Sequence, residues 1–312
     1  MNLFPYDSKF DFMRLRKASL GIAVALFVIA LASLATRGLE FALDFTGGTV
    51  VELQFEKPVD IAEVRGKLEA AGFENAMVQT FGASNDIVVR LKPIEGQVNA
   101  EKTGDSVLAA ARIEGNPARL TRSDFVGPQV GKELAEQGVI AVIFVALGFL
   151  LYISIRFEWK FAIAAIITTM HDVVICTGYF SVTGKEFDLN VLAGILSVMG
   201  YSINDTIVVF DRVRENFRSL HRVDAYEVLN RSVNQTLSRT IITSFVAFLT
   251  VLALYIFGGT ALRGMAESQI IGIIIGTLSS IFVACPLLLW FGTTRVDLLP
   301  RARDDSDLAR RP

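Results

Sequence analysis

Six stretches of the 312-residue chain stay apolar long enough to cross a membrane, at roughly 18–36, 138–155, 161–181, 189–210, 241–258 and 270–291. A hydrocarbon core takes about 20 helical residues. Between the first two stretches the pattern changes. "TVVELQFEKP" alternates apolar and polar positions and ends in Lys-Pro, as a strand does. "DIAEVRGKLEAAGF" puts Ile61, Val64, Leu68 and Ala71 on one face, opens at Asp60 and stops at Gly72, the marks of an amphipathic helix. "AMVQTFG" and "DIVVRLKP" read as strands joined around Ala83, Ser84 and Asn85. "TGDSVLAAARIEG" reads as a second helix and "ARLTRSDFVG" as a last strand; Gly104 and Gly115 leave that helix's ends open. The order βαββαβ suits a ferredoxin-like unit with both helices on one face of a sheet. The chain is thus expected to be a multi-pass α-helical membrane protein. Six transmembrane helices carry a small α+β extracytoplasmic domain between helices one and two.

Composition agrees and narrows the function. The chain is 52% hydrophobic and 20% charged, with a net charge of −2 and no basic tract, so nothing points to nucleic acid. Cys176 and Cys285 both fall inside spans, which argues against a structural disulfide or a metal site. Lys and Arg concentrate at Lys9, Arg14, Arg16 and Lys17, at Arg156 and Lys160, and at Arg212, Arg214, Arg218, Arg222, Arg231 and Arg239. The opposite short connections offer Lys185 and Arg263. The positive-inside rule then places both termini in the cytoplasm, with Arg301, Arg303, Arg310 and Arg311 in agreement. The expected layout is a cytoplasmic segment 1–17, helix one at 18–36, an outer domain at 37–134, helices two to six within 135–292, and a tail at 293–312. The polar stretch 211–238 is expected as a helical cytoplasmic connection whose arginines favour anionic lipid. A cleaved signal peptide is the competing reading of the first span, but its removal would break this parity.

The candidate chemistry lies in the spans. Asp205 sits in "GYSINDTIVVFDRVREN", beside Ser202, Asn204 and Thr206 and about six residues from the expected cytoplasmic end of its helix. A carboxylate in a span is costly unless it faces a bundle interior or a water path and finds a partner. Such a group can alternate between protonated and ionised forms. Arg239, opening the fifth span on the same side, is the expected partner, because its charge does not titrate. A snorkelling interfacial arginine is the plainer reading. His171 and Asp172, mid-way along the third span, form a second cluster. Adjacent helical residues point about 100° apart, so the two are expected to face different neighbours, one in a relay and one in a helix contact. Gly272, Gly276 and Ser280 recur four apart on the sixth span, as do Ser197, Tyr201 and Asp205 on the fourth, and both stripes suit close helix packing. After the first span, "LDFTGGT" carries Gly47 and Gly48, suited to a tight turn from helix to strand, with Asp44 to cap or salt-bridge.

Nucleotide and metal signatures are absent: no GxxxxGK[ST] loop, no HExxH, no Cys/His metal spacing. Energy must come from an ion gradient or a partner, and no catalytic role or cofactor is expected. "LDFTGGT", "FVGPQVGKEL", "MHDV", "GYSINDTIVVFDRVREN" and "NQTLSRTIITS" occur in order along nearly the full length. Together they resemble the SecF family, the smaller membrane subunits of the SecD–SecF pair in bacterial protein export. The resemblance implies a half-transporter of the RND type in the bacterial cytoplasmic membrane. It would pair with SecD and use proton flow to complete preprotein translocation after the ATP-dependent step, near the SecYEG channel and with YajC and YidC as further partners. The family's functional Asp and Arg fall on Asp205 and Arg239, with His171, Asp172, Asn204 and Ser202 as possible support. Rival readings are an RND-type small-molecule exporter and a non-transporting translocon scaffold.

Overall fold

The computed structural model describes residues 10–73, 76–81, 83–91, 100–220, 223–294 and 297. Lys9, Arg222, residues 92–93 of the third expected strand and the expected tail beyond 297 lie outside them. The chain divides into two compact units: residues 41–141 with 186–189, and the remainder.

In the first unit a two-residue strand β1 (Glu40–Phe41) and the short helix α2 (Leu43–Thr46) precede β2 (Gly48–Phe55). Then come α3 (Ile61–Ala70), β3 (Met77–Phe81), β4 (Ala83–Leu91), α4 (Ala100–Ala110) and β5 (Ala118–Val126). The larger sheet runs β3-β4-β2-β5, every neighbouring pair antiparallel. Each helix links two strands that flank a third, the split βαβ pattern. Alternation along β2 buries Val51, Leu53 and Phe55, which meet Val64 and Leu68 of α3 and Val107 of α4 in one core. Asp60 caps α3 by accepting from the Ala62 amide at 2.9 Å. The second helix begins at Ala100, not Thr103, and runs through Gly104, where a Cβ would stand 2.8 Å from Ser123 Oγ. That glycine marks a close approach of helix to strand, not a helix start.

The second unit is helical, and with the two long helices that begin in the first it supplies, among the described residues, six helices long and apolar enough to cross a membrane. These are α1 (Arg16–Thr36), α5 (Pro128–Arg156), α6 (Trp159–Thr183), α7 (Leu189–Ser219) and α8 (Ala225–Phe257), with a sixth made of three pieces. The sixth comprises α9 (Gly259–Ser279), a π turn (Ser280–Ala284) and α10 (Cys285–Trp290). A second two-residue strand, β6 (Glu186–Phe187), pairs with β1. Ile143, Phe144, Leu147, Leu151 and Ile155 of α5 are exposed, as a lipid-facing helix requires.

Two expected boundaries move. Helix α5 starts at Pro128, some ten residues before the apolar run, because Pro suits a first helical turn and the polar positions that follow are still good helix formers. The expected connection 211–238 is almost entirely the ends of α7 and α8. Its polar residues have internal partners: Asn216 donates to Ser232 Oγ and Gln235 Oε1, both at 2.8 Å. Asn230 and Asn234 accept from the backbone amides of Phe12 and Phe10 at 2.9 and 3.1 Å.

Past α10, Lys160 donates to Asp297 at 2.8 Å, and Asp297 also accepts from the Thr294 amide at 2.7 Å. Burial pushes the Asp297 carboxyl up, but the bonds from Lys160 and Thr294 outweigh it and hold it below its ordinary value. A carboxyl lowered on folding stabilises above its unfolded value and loses that contribution as pH falls through the folded one. Hydrogen exchange at the Thr294 amide should therefore exceed its intrinsic pH trend only below about pH 4.

Candidate functional site

Asp205 stands near the middle of the 31-residue α7, not about six residues from its end. It is 6% exposed, and Asp172 on α6 is fully buried. The two acids are held alike, by hydroxyls. Asp205 accepts from Thr240 Oγ1 of α8 at 3.0 Å and from Ser280 Oγ of the π turn. Asp172 accepts from Ser202 Oγ of α7 and Ser279 Oγ of α9, both at 2.6 Å. Its other oxygen lies 2.9 Å from His171 Nδ1, and the His171 ring stacks on Phe27 of α1 at 6.2 Å. His171 and Asp172 thus face different neighbours, as expected, α1 for the one and α7 with α9 for the other, and they also bond to each other. A hydroxyl can donate to an ionised carboxylate or accept from a protonated one. Both acids therefore sit among partners that tolerate either protonation state.

Close helix packing creates this geometry. A Cβ at Gly272 would lie 2.0 Å from Val198 Cγ2, and one at Gly276 would lie 3.4 Å from Ser202 Cβ. One turn on, the stripe ends at Ser280 on Asp205. The facing row on α7 is Val198, Ser202 and Asp205; of the expected stripe, Ser197 is exposed while Tyr201 and Asp205 meet neighbouring helices. Tyr201 instead donates to Ser244 of α8 at 2.6 Å, and Thr277 of α9 donates to the same oxygen at 2.8 Å.

The remaining expectations divide. Arg239 adjoins Thr240, the residue that bonds Asp205. Among the described residues no ion pair or hydrogen bond joins Arg239 to Asp205, and Arg239 is exposed. Asn204 is exposed and outside the network, because it points away from Asp205 on the same helix. Ser202 serves Asp172, not Asp205. In the first unit Asp44 accepts from the amide of Leu189, the first residue of α7, at 3.1 Å. Gly47 and Gly48 have φ of 65° and 122°, and a Cβ on Gly48 would stand 2.3 Å from the Leu91 carbonyl oxygen. Only glycine fits there.

Thr240 and Ser279 escaped sequence reasoning, as did the role of Ser280 as a partner of Asp205 and the break in the sixth span. One signal was available: "LSSIFVACP" places Pro286 inside an apolar helix. Pro286 has no N–H for the Phe282 carbonyl, which takes its bond from Ser19 Oγ of α1 at 2.9 Å. A second cluster was also missed, in which Tyr179 donates to Glu267 of α9 at 2.5 Å and Lys185 pairs with the same carboxylate.

Residues 108–294 match the model of the SecD/SecF protein-export membrane protein C-terminal region, and residues 32–59 match the SecD/SecF GG motif. The chain is 47% identical over 298 residues to the protein translocase subunit SecF of Pseudomonas aeruginosa, covering 95% of this chain and 96% of that relative. The chain belongs to the SecF family. A SecF of Escherichia coli O157:H7 is 44% identical over 93% of the chain and 90% of its own length. Among solved structures, the chain is similar to SecDF from Thermus thermophilus, described as a translocon-associated membrane protein, with a TM-score of 0.83 and 36% identity. A second SecDF structure, in a super-membrane-facing form, gives 0.67 at 35% identity. These matches cover 93% and 92% of this chain, which spans only 40% and 39% of the two SecDF chains. Asp44, Gly47 and Gly48 fall within the GG motif; Asp172, Asp205, Arg239 and Ser280 fall within the C-terminal match.

Proposed function

We propose that this chain pairs with a SecD subunit in the bacterial cytoplasmic membrane and uses the proton motive force to complete preprotein translocation after the ATP-dependent step. Both termini lie in the cytoplasm and the α+β unit outside it. Asp205 loads and releases the proton, and Arg239 is the fixed charge that favours its ionised form when the two approach. The SecYEG channel, YajC and YidC are the expected neighbours, preproteins the cargo, and anionic lipid the surface met by the arginines of α7 and α8. No cofactor is needed and no covalent chemistry is catalysed; the gradient is the energy source.

The observation that supports this most is the placement of Asp205, buried at the junction of α7, α8 and the π turn and, among the described residues, bonded only to hydroxyls. A carboxylate kept without an ion pair in a span serves packing poorly and proton exchange well. The test is preprotein completion in inverted membrane vesicles containing the whole complex, with the gradient imposed and then collapsed. Completion should require the gradient; equal yields without it would overturn the reading. Arg239→Lys keeps a charge but changes its reach and geometry, so it should reduce gradient-driven completion several-fold. Wild-type gradient dependence in that variant would remove Arg239 from the mechanism.

A further inference from the structure

Asp172 and Asp205 are gripped by consecutive residues at the junction of α9 and the π turn. Ser279 donates to Asp172 and Ser280 to Asp205. Each serine also has a second acceptor, the carbonyl three residues back: Gly276 O at 3.1 Å for Ser279 and Thr277 O at 3.0 Å for Ser280. A hydroxyl has one proton to donate, so each serine divides it between a carboxylate and the helix backbone. An ionised carboxylate draws that proton toward itself; a protonated one donates instead and releases the serine to its carbonyl. The carbonyls lie in the last turn of α9, directly before the π turn, where the ladder changes from i→i+4 to i→i+5 bonding. Pro286 cannot lock that register, since it offers no N–H, and Ser19 of α1 takes the carbonyl it leaves.

We propose that Asp172 is a second ionisable group of the coupling machinery, and that Ser279 and Ser280 act as positioning residues through which its charge state and that of Asp205 bias one π turn. The proposal rests on the reading of Asp205 as a proton carrier. It supplies what coupling requires, a two-state element whose equilibrium both groups shift. Protonating either acid frees one serine to bond the turn's backbone, so the second acid meets a turn already altered. The other charged or titratable groups facing the pair are His171 and Cys176 from α6, Tyr201 from α7 and Arg239 from α8. Among the described residues of α9 and the π turn, only hydroxyls face it.

The test is an infrared pH titration of the purified SecD–SecF complex, following the carboxyl C=O band that Asp205→Asn removes. If the sites are coupled, Asp172→Asn displaces the midpoint of that band by about one pH unit or more. In a Ser279→Ala, Ser280→Ala background the same Asp172→Asn change should leave the midpoint in place. A displacement that survives without the serines would mean direct charge interaction and would overturn the role of the turn. No displacement in the serine-containing protein would overturn the coupling altogether. Gradient-driven export of Asp205→Asn, measured in parallel, keeps the two readings apart. Normal export in that variant defeats the proposed function, while the midpoint shift alone decides the coupling.

Discussion

Asp205→Asn is expected to export preprotein equally well with and without a proton gradient. One proton falling through 100 mV releases about 2.3 kcal/mol. At about 1.4 kcal/mol per factor of ten, that biases a two-state population roughly fifty-fold, which sets the largest gradient stimulation one proton can support. Asn has nearly the same shape: its one oxygen can accept from either Thr240 Oγ1 or Ser280 Oγ, which bond different oxygens of the native carboxylate, and its NH2 can donate to the other hydroxyl. The variant should therefore fold and reach the membrane in normal amount while the gradient response falls to the collapsed-gradient level. Preprotein completion in vesicles, normalised to the amount of protein, measures this. A scaffold would keep the response, and so would a chain in which another acid carries the proton; either result would sink the assignment to Asp205. The size of the effect also bears on mechanism. On the proposed function, a few kcal/mol can favour one of two arrangements but cannot unfold a passenger, which suits capture of forward motion over pulling.

The parts of this fold legible in the sequence are those that leave a local pattern. Six apolar runs give six helices because a membrane span must be apolar along its length, and Val51, Leu53 and Phe55 announce β2 by simple alternation. Helix ends were less legible. Asn216, Asn230 and Asn234 look like a loop in a hydropathy window, yet each is satisfied by a partner far away in sequence or by the capture of the N-terminal segment. The same division holds at the site. A lone carboxylate in an apolar run stands out, so Asp205 could be named at once. Its partners could not, because Thr240 and Ser280 are ordinary hydroxyl residues whose meaning comes from which helices touch. Arg239 drew attention by its charge although Thr240, its neighbour, makes the bond. Asn204 drew it by adjacency, which on a helix means a different face. The Gly272, Gly276, Ser280 stripe was visible, but periodicity alone could not say that it lies against Val198, Ser202 and Asp205.

That stripe carries the largest expected effect on stability. At Gly272 an added methyl would stand 2.0 Å from Val198 Cγ2 and 2.5 Å from Val198 Cγ1. Valine is stiff at χ1 and cannot swing both branches away, so α7 and α9 must separate or bend. Overpacking of this kind costs about 1–3 kcal/mol. Gly272→Ala should lower the thermal unfolding midpoint of the detergent-purified protein, and Gly276→Ala should lower it less, since its methyl would meet Ser202 Cβ at an ordinary 3.4 Å. The steric origin has a direct check. Val198→Ala removes the two nearest clashing carbons and leaves only Val198 Cβ, at 2.8 Å, so adding it to Gly272→Ala should recover part of the loss, even though Val198→Ala alone opens a small cavity and destabilises. Additive losses in the double variant would mean that glycine is needed for some reason other than helix approach. The separation should also reach the acids, because Ser279 and Ser280 lie farther along the same helix. Gly272→Ala should then weaken gradient-driven export beyond what its lower abundance explains, and Val198→Ala should restore part of both together.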